Sequence, residues 1–593
     1  MHRLSSLAFA ISLFAISSVA QASPIQERAD RFLKLADAGF QALYRVNSEA
    51  QWKSMTDVTP EHDAASEATG KAYAAFIGNP ALIAEAQELL THEKELTELS
   101  TRELKQLLLY AAEGPMTNPD LVAKRVEAET KQASILNSFV FKLNGQPITA
   151  NQIEDKLAKS TDLNERKAIW EASKESGPAL KPNLVTLRDL RNGVAKEMKY
   201  PDYFALEVAS YGMTTDEMLK MLDDWMATLR PLYLQLHTWA KYRLAEKFHQ
   251  PVPKKIPAHW INNRWGQEWE GLVDAANTDK CFEGRSAEWV IKTAEQFYTG
   301  LGFSALPKTF WERSDLYPLP ADSKRKKNTH AWCFHVDLEN DIRSLQSIEP
   351  NSKWFQTAHH ELGHGYYFKA YTRPEVPHIL RLGAAPGFHE GVGELIALAA
   401  SQVPYLQSRG ILPNDFKADK TAFLLDDALA RSIPFIFFSA GVMPHWEADV
   451  YAKNLPPNEW NARWWKYVGE MQGIEPPSPR GEEFCDAATK THINDAPAYY
   501  YNYAFATVFK FQLHDYIARK ILFQPPQSCN YANNKQVGQW LDNILRKGAT
   551  QDWRKVLKQA TGEDISTRAM ANYFKPLQSW LEEQNKGRQI GWD

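Results

Sequence analysis

The chain has 593 residues, of which 44% are hydrophobic and 24% are charged, a globular composition that excludes wholesale disorder. The net charge of −4 argues against a nucleic-acid-binding protein that depends on bulk positive charge. Four cysteines in this length exclude a disulfide-dense scaffold.

The first 22 residues are typical of an export signal. Arg3 precedes an apolar stretch over residues 7–16, and Ala20-Gln21-Ala22 matches the small-x-small pattern of a cleavage site. The stretch is too short to cross a bilayer, which takes about 20 residues, and no later uncharged stretch reaches that length. An uncleaved N-terminal anchor is the alternative. We therefore expect a signal peptide over residues 1–22 and an exported mature chain, periplasmic or secreted.

The rest of the chain is helical in character. Apolar residues recur every three or four positions, as in residues 27–46. Residues 330–347 partly alternate apolar and polar side chains, which predicts a short β element. No long Gly/Ser linker separates independent domains. We predict an all-α fold with a minor β element, in which residues 23–593 form a single domain.

Residues His360–His364 form a His-Glu-x-x-His motif. On a helix, positions four apart share one face, so both imidazoles can bind one zinc ion while Glu361 lies beside it. Chance would produce fewer than about 0.05 such motifs in this chain. The alternative is a helix with two histidines on a solvated face. The motif predicts a zinc site with His360 and His364 as ligands and Glu361 as general base.

A catalytic zinc takes three protein ligands and keeps one open position. The third ligand is predicted in the segment PGFHEGVGE, where Glu390 can reach the metal if a second helix packs across the first. His389 is the alternative ligand, and an acid at a helix N-terminus is also favoured by the helix dipole. Glu394 shares a face with Glu390 and can orient a ligating imidazole; otherwise it is a solvated acid.

These segments resemble the peptidyl-dipeptidase A family, the zinc peptidases related to angiotensin-converting enzyme. The stretches that carry the resemblance are HHELGH, GAAPGFHEGVGE, HWINNRWGQEWEGL, WWKYVGEMQGIEPPSPR and KTHINDAPAYYYNYAFATVFKFQLH. The resemblance is specific over about residues 255–545. It implies a large two-lobed zincin-type fold, a deep central cleft and a helical lid region over about residues 23–130. The style of the signal segment favours a bacterial member of the family.

The resemblance also assigns roles around the reacting carbonyl. It matches His360, His364 and Glu390 to the zinc ligands and Glu361 to the general base. His492 and Tyr503 match the histidine and tyrosine that stabilise the oxyanion and support proton transfer. Because the spacing from His492 is one residue longer than in the family, Tyr503 and also Tyr500 are placed from the FQLH that follows them, and the neighbouring Tyr499 and Tyr501 are alternatives.

Three further positions match the residues that grip the terminal carboxylate of a substrate: Gln267, Lys490 and Tyr500. The related carboxypeptidase branch of the family has Arg at the Gln267 position, so Gln267 favours dipeptide release over release of single residues. His330 and Ala331 match residues that bind substrate backbone, although His330 could equally be an ordinary strand histidine.

Two departures from the family concern anions and cysteines. Asn502 and Val468 replace the two arginines of the family's chloride sites, and neither can hold an anion by charge, so we expect no chloride requirement. Export permits disulfides, and Cys485 with Cys529 is the favoured pair among the four cysteines, whereas free buried thiols are the alternative. Cys281 and Cys333 have no predicted partner.

The sequence therefore predicts a zinc metallopeptidase that releases C-terminal dipeptides from short peptides. A zinc carboxypeptidase that removes single residues is the alternative. The expected partners are one zinc ion per chain and short unfolded peptides, with no nucleic acid and no membrane span. We expect a monomer or a weak dimer.

Overall fold

Helices dominate the computed structural model, which describes residues 23–273, 279–417 and 419–592. Helix accounts for 66% of the structure and strand for 3%. The predicted all-α fold with a minor β element is therefore confirmed. The predicted signal peptide, residues 1–22, lies outside the described residues. Among the described residues, no helix is both long enough and apolar enough to cross a membrane.

Four of the N-terminal helices (α1, α2, α3 and α5) begin with proline, at a position where a missing N–H costs nothing. Helix α1 also has an N-cap, since the Ser23 hydroxyl accepts a hydrogen bond from the backbone N–H of Gln26 at 3.1 Å. The elements are α1 (Pro24–Thr56), α2 (Pro60–Ile77), α3 (Pro80–Thr91), α4 (Glu98–Ala111), α5 (Pro119–Ser138), β1 (Phe141–Leu143), β2 (Gln146–Ile148) and α6 (Ala150–Lys159).

The rest of the described chain adds nineteen helices and four short strands. The helices are α7 (Leu163–Ala172), α8 (Ser176–Glu197), α9 (Tyr203–Val208), α10 (Thr215–Lys247), α11 (Ala287–Leu301), α12 (Lys308–Arg313), α13 (Ser352–Tyr371), α14 (Pro386–Ala400), α15 (Val403–Ser408), α16 (Lys420–Asp427), α17 (Ile433–Ile436), α18 (Met443–Tyr451), α19 (Trp460–Tyr467), α20 (Thr491–Asp495), α21 (Tyr501–Tyr516), α22 (Lys535–Leu545), α23 (Trp553–Thr561), α24 (Arg568–Tyr573) and α25 (Lys575–Gln584). The strands are β3 (Ile256–Pro257), β4 (Trp332–His335), β5 (Ile342–Leu345) and β6 (Ile474–Glu475).

The β element predicted over residues 330–347 is the antiparallel pair β4 and β5. Trp332 pairs with Leu345 and His335 with Ile342. β5 is buried along its whole length, whereas β4 is partly exposed. A strand that is buried on both faces does not need alternating apolar and polar side chains, so the alternation covers only part of the segment. The hairpin packs against α13.

The N-terminal helices have an apolar core of their own, which includes Leu33 and Phe40 of α1 and Leu104 of α4. Polar contacts tie this layer to the larger core. Asp37 of α1 accepts hydrogen bonds from Nδ1 of His378 at 2.8 Å and from the backbone N–H of Ile379 at 2.9 Å. The role of residues 23–130 as a lid stays a prediction, as does the division into two lobes.

A cavity of about 1010 Å³ opens between these N-terminal helices and the larger core. Its wall includes residues of α4 and α9, and also His389 and Asp495. His389 precedes the predicted ligand Glu390, whereas the two histidines of the zinc motif are not part of the wall.

The favoured Cys485–Cys529 disulfide is wrong, because all four cysteines are free thiols. The two buried sulfurs belong to different packing environments. The backbone of Cys485 lies against Gly177 of α8, whereas Sγ of Cys529 lies 3.8 Å from Nε2 of His514 on α21. Burial raises the pKa of both thiols to about 12, so both are protonated at neutral pH.

Candidate active site

The predicted metal ligands come together where α13 crosses α14. A Cβ on Gly363 of α13 would lie 3.0 Å from Cα of Gly393 on α14, so a side chain there would push the two helices apart. A Cβ on Gly393 would lie 2.7 to 2.9 Å from three ring atoms of His360. The missing side chains let the backbone of α14 lie directly on the imidazole. Glu390, one turn earlier on α14, then reaches the same imidazole.

The distances fit one metal ion. Nε2 of His360 and Nε2 of His364 lie 3.1 Å apart. The Glu390 oxygens lie 3.5 Å from Nε2 of His360 and 3.9 Å from Nε2 of His364. Ligands at zinc bond lengths around one tetrahedral centre would lie about 3.3 to 3.6 Å apart. Because two imidazole nitrogens at this distance need a proton or a cation between them, the donor set suits zinc.

Carboxylates surround His360 and make this end of the site favourable for a cation. Burial by itself lowers the pKa of His360, but the hydrogen bond and charge of Glu390, with Glu361 and Glu394, raise it to about 9. Burial and the charge of His360 lower the pKa of His364 to about 4. At neutral pH the imidazoles of His360 and His364 therefore share one proton. A bound divalent cation would take the place of that proton.

Glu361, the carboxyl of the motif, is buried, with 6% of its surface exposed. Its Oε2 atom has no hydrogen-bond partner in the described part of the chain. Burial raises its pKa to about 7, against the lowering effect of His360. A carboxylate with this pKa and a free oxygen beside the metal ligands can accept a proton near neutral pH.

Glu394 lies behind His360, with Oε1 3.8 Å from Nδ1 of the imidazole. Its other oxygen accepts a hydrogen bond from Nζ of Lys510 at 3.0 Å. Sequence reasoning missed Lys510, which is 4% exposed on α21. A lysine inside the apolar stretch AFATVFKFQL was the available signal, because a buried ammonium needs an acid.

The alternative ligand His389 faces elsewhere. Its Nε2 lies 3.2 Å from the hydroxyl of Tyr371, and its ring packs against Tyr367 and Phe368. Glu390, and not His389, reaches both imidazoles of the motif.

The predicted oxyanion residues are adjacent. Nε2 of His492 lies 3.3 Å from the Tyr503 hydroxyl. Burial, with the nearby charges of Glu390 and Asp495, raises the pKa of Tyr503, so the phenol stays protonated as a donor. Burial, with the charge of Lys490, lowers the pKa of His492 to about 4, so this imidazole is neutral.

The two alternative tyrosines differ in position. Tyr501 is 2% exposed and packs against Phe204 and Tyr211 in the core, so its hydroxyl is remote from His492. Tyr499 is half-buried and its ring lies 5.8 Å from that of Tyr503. Tyr499 therefore remains an alternative to Tyr503, and Tyr501 does not.

The three predicted carboxylate-binding residues meet although they come from distant parts of the chain. Oε1 of Gln267 accepts hydrogen bonds from Nζ of Lys490 at 3.0 Å and from the Tyr500 hydroxyl at 2.9 Å. Burial lowers the pKa of Lys490 to about 7, while the charge of Glu268 opposes this change. The Lys490 ammonium also lies 4.3 Å from the ring centroid of Trp265.

His330 and Ala331 lie just before β4. His330 is exposed, and its backbone N–H donates to Oδ1 of Asn328 at 2.9 Å. Within the described residues, no hydrogen bond joins His330 to the other predicted site residues. The assignment of His330 and Ala331 to the substrate backbone stays a prediction.

A family model described as angiotensin-converting enzyme matches residues 23–592 of the chain. The chain belongs to the angiotensin-converting enzyme family. The resemblance drawn from the sequence motifs is confirmed, and family membership makes the chain a zinc metallopeptidase that acts on peptides.

Individual members of the family are similar over most of the chain. The angiotensin-converting enzyme of Theromyzon tessulatum is 31% identical over 461 residues, which cover 74% of this chain and 73% of the relative. The angiotensin-converting enzyme-related protein of Drosophila melanogaster is 31% identical over 470 residues, or 74% and 72% of the two chains. The Mesocricetus auratus enzyme is also 31% identical, but the match spans 34% of that longer protein.

Proposed function

We propose that the protein is a zinc-dependent peptidyl-dipeptidase that releases C-terminal dipeptides from short peptides. The observation that carries this proposal is the meeting of Gln267, Lys490 and Tyr500. Two donors suited to a carboxylate, the Lys490 ammonium and the Tyr500 hydroxyl, converge on the side-chain amide of Gln267. An endopeptidase has no need of such a site.

His360, His364 and Glu390 would hold the zinc ion, which polarises the scissile carbonyl and activates a water molecule. Glu361 accepts the proton of the attacking water and passes it to the leaving amine. Its pKa of about 7 and its unpartnered oxygen support both transfers. Glu394 and Lys510 orient His360 from behind.

The Tyr503 hydroxyl donates a hydrogen bond to the developing oxyanion. His492, 3.3 Å away, holds that hydroxyl and supports the proton transfer. A raised pKa at Tyr503 keeps the proton on the phenol, so the residue acts as a donor throughout the reaction.

Gln267, Lys490 and Tyr500 form a carboxylate anchor, and the distance of this anchor from the metal site sets the length of the product. Lys490 supplies the positive charge for the terminal carboxylate, and Gln267 and Tyr500 supply hydrogen bonds. A neutral Gln267 in place of an arginine supports a carboxylate held two residues beyond the cleaved bond.

The proposal includes export to the periplasm or the medium, on the basis of residues 1–22 of the sequence. N-terminal sequencing of the protein recovered from the exporting cell tests it. A mature chain that starts at Ser23 is the expected result, and an intact N-terminus would contradict it.

The decisive experiment is a mass spectrum of the products from an unblocked ten-residue peptide and from its C-terminally amidated twin. The expected product is the last dipeptide, released faster from the free carboxylate. Release of single residues would favour the zinc carboxypeptidase instead. Equal internal cleavage of both peptides would reject the anchor while leaving the zinc site intact.

A further inference from the structure

Glu268 is an acid beside the carboxylate anchor to which the mechanism above gives no role. It follows Gln267 directly, and its Oε1 accepts a hydrogen bond from Nε2 of Gln267 at 3.3 Å. Its Oε2 accepts another from Nδ2 of Asn263, also at 3.3 Å. The carboxylate of Glu268 is therefore held by two neutral amides.

No ion pair neutralises Glu268 within the described residues. The nearest arginine by sequence, Arg264, pairs with Glu154 at 3.1 Å and stacks on Trp265. Lys490 is close enough for its charge to lower the pKa of Glu268, although burial raises that pKa overall. The ammonium itself donates to Gln267. Within the described residues, Glu268 thus has two amide partners and no direct cationic partner.

The carboxylate of Glu268 also belongs spatially to the anchor. Its charge raises the pKa of the Tyr500 phenol, after the larger effect of burial, and it opposes the lowering of the Lys490 pKa. The anchor therefore presents a cation and an anion next to each other. A last residue with a free carboxylate and a cationic side chain has the matching pair of charges.

We propose that Glu268 selects peptides whose last residue is basic, so that the released dipeptides end in arginine or lysine. This proposal rests on the proposed peptidyl-dipeptidase function. The terminal carboxylate binds Lys490, and the basic side chain branches from the adjacent Cα and extends to Glu268. An acidic last residue is rejected, because it places like charges together.

The test compares peptides that differ only in the last residue: arginine, its uncharged isostere citrulline, or glutamate. For the zinc-loaded enzyme, kcat/KM is measured by mass spectrometry of the released dipeptide. The ratio between the arginine and citrulline peptides isolates the side-chain charge, because both have the same terminal carboxylate. We expect a ratio of about five in the wild type, with the glutamate peptide slowest.

Two variants sharpen the comparison. In Glu268→Gln the ratio of kcat/KM between the arginine and citrulline peptides is expected to fall to about one. A lower Lys490 pKa in this variant would reduce kcat/KM equally for all three peptides and would not change the ratio. Glu283→Gln is the matched control, since Glu283 is an exposed acid outside the anchor, and its ratio is expected to match the wild type. Inhibition of the wild type by Ala-Arg and Ala-citrulline gives the same comparison without a variant.

The outcomes separate the two proposals. If dipeptides are released from all three peptides with a ratio near one, or if Glu268→Gln keeps the wild-type ratio, Glu268 is not the selector and the peptidyl-dipeptidase stands. Equal inhibition by the two dipeptides would likewise exclude Glu268 as the selector. If no peptide yields a dipeptide, the proposed function fails and the selectivity fails with it.

Discussion

The metal site and the carboxylate anchor are built in opposite ways. His360, Glu361 and His364 lie within five consecutive positions of α13, so helix periodicity alone aligns them. Lys490 and Tyr500 reach Gln267 from 223 and 233 residues away. The first site depends on one helix crossing and the second on the packing of the whole chain. Chemistry and product length should therefore be separable by mutation.

Loss of the general base should give the largest effect. Glu361→Gln keeps the shape of the side chain but removes the proton acceptor, so we expect kcat to fall by about 10³-fold. Zinc content per chain, measured by atomic emission, should stay at the wild-type value because the three ligands are intact. Near-normal turnover in this variant would end the assignment of Glu361 as the base.

The helix crossing can be disturbed without replacing any of the predicted ligands. In Gly393→Ala the new methyl group would meet the His360 ring at 2.7 to 2.9 Å, so either α14 or the imidazole must move. We expect the zinc affinity to fall by about ten- to a hundredfold, as measured by competition with a chelator.

Gly365→Ala is the matched control on α13. Its Cβ would lie 3.4 Å from Sγ of Cys333, an ordinary contact, so the zinc affinity should change little. Equal zinc affinity in the Gly393 and Gly365 variants would show that the crossing does not position His360.

A mutation in the carboxylate anchor should change KM and leave the zinc affinity as it is. In Lys490→Met the charge is lost but much of the apolar stem remains, so KM for a peptide with a free carboxylate should rise by about tenfold or more. The amidated twin lacks the carboxylate and should change little. Unchanged zinc content would confirm that the two sites are independent, whereas equal weakening of both peptides would point to a folding defect.

The same contrast explains what the sequence could and could not predict. Helix periodicity and the spacing of His360 and His364 were sufficient for the motif, and alternation was sufficient for the hairpin that contains His335. The resemblance assigned Gln267, although no local pattern marks it. Contacts between distant segments had no such signal: the apolar stretch around Lys510 marks a buried lysine, but nothing in the sequence names Glu394 as its partner.

The cysteine prediction failed for a related reason. Cys485 and Cys529 flank one segment in sequence, but sequence position says nothing about which helix each one packs against. One lies against α8 and the other beside His514 of α21. The role of Glu268 could not be read either, because an acid next to Gln267 becomes informative only when the partners of both side chains are known.

The anchor should also be sensitive to pH in a direction fixed by Lys490. Burial lowers the pKa of this ammonium to about 7, so it is charged below that pH and loses its charge above it. KM for a free peptide should therefore rise severalfold between about pH 6 and pH 8.5. The ratio to the amidated twin removes the contributions of other groups, and a ratio that is constant with pH would contradict the assignment.

The smallest effect is expected from chloride. In place of an arginine, Asn502 accepts a hydrogen bond from the Tyr211 hydroxyl at 2.5 Å, and that hydroxyl accepts one from the backbone N–H of Gly387 at 2.9 Å. These neutral groups connect α21 to the start of α14, the helix that carries Glu390, so an anion has no charge to bind there. Exchange of sodium acetate for NaCl at constant ionic strength should change kcat/KM by less than about twofold. A many-fold rise would mean that other cations of this chain bind chloride and influence the site.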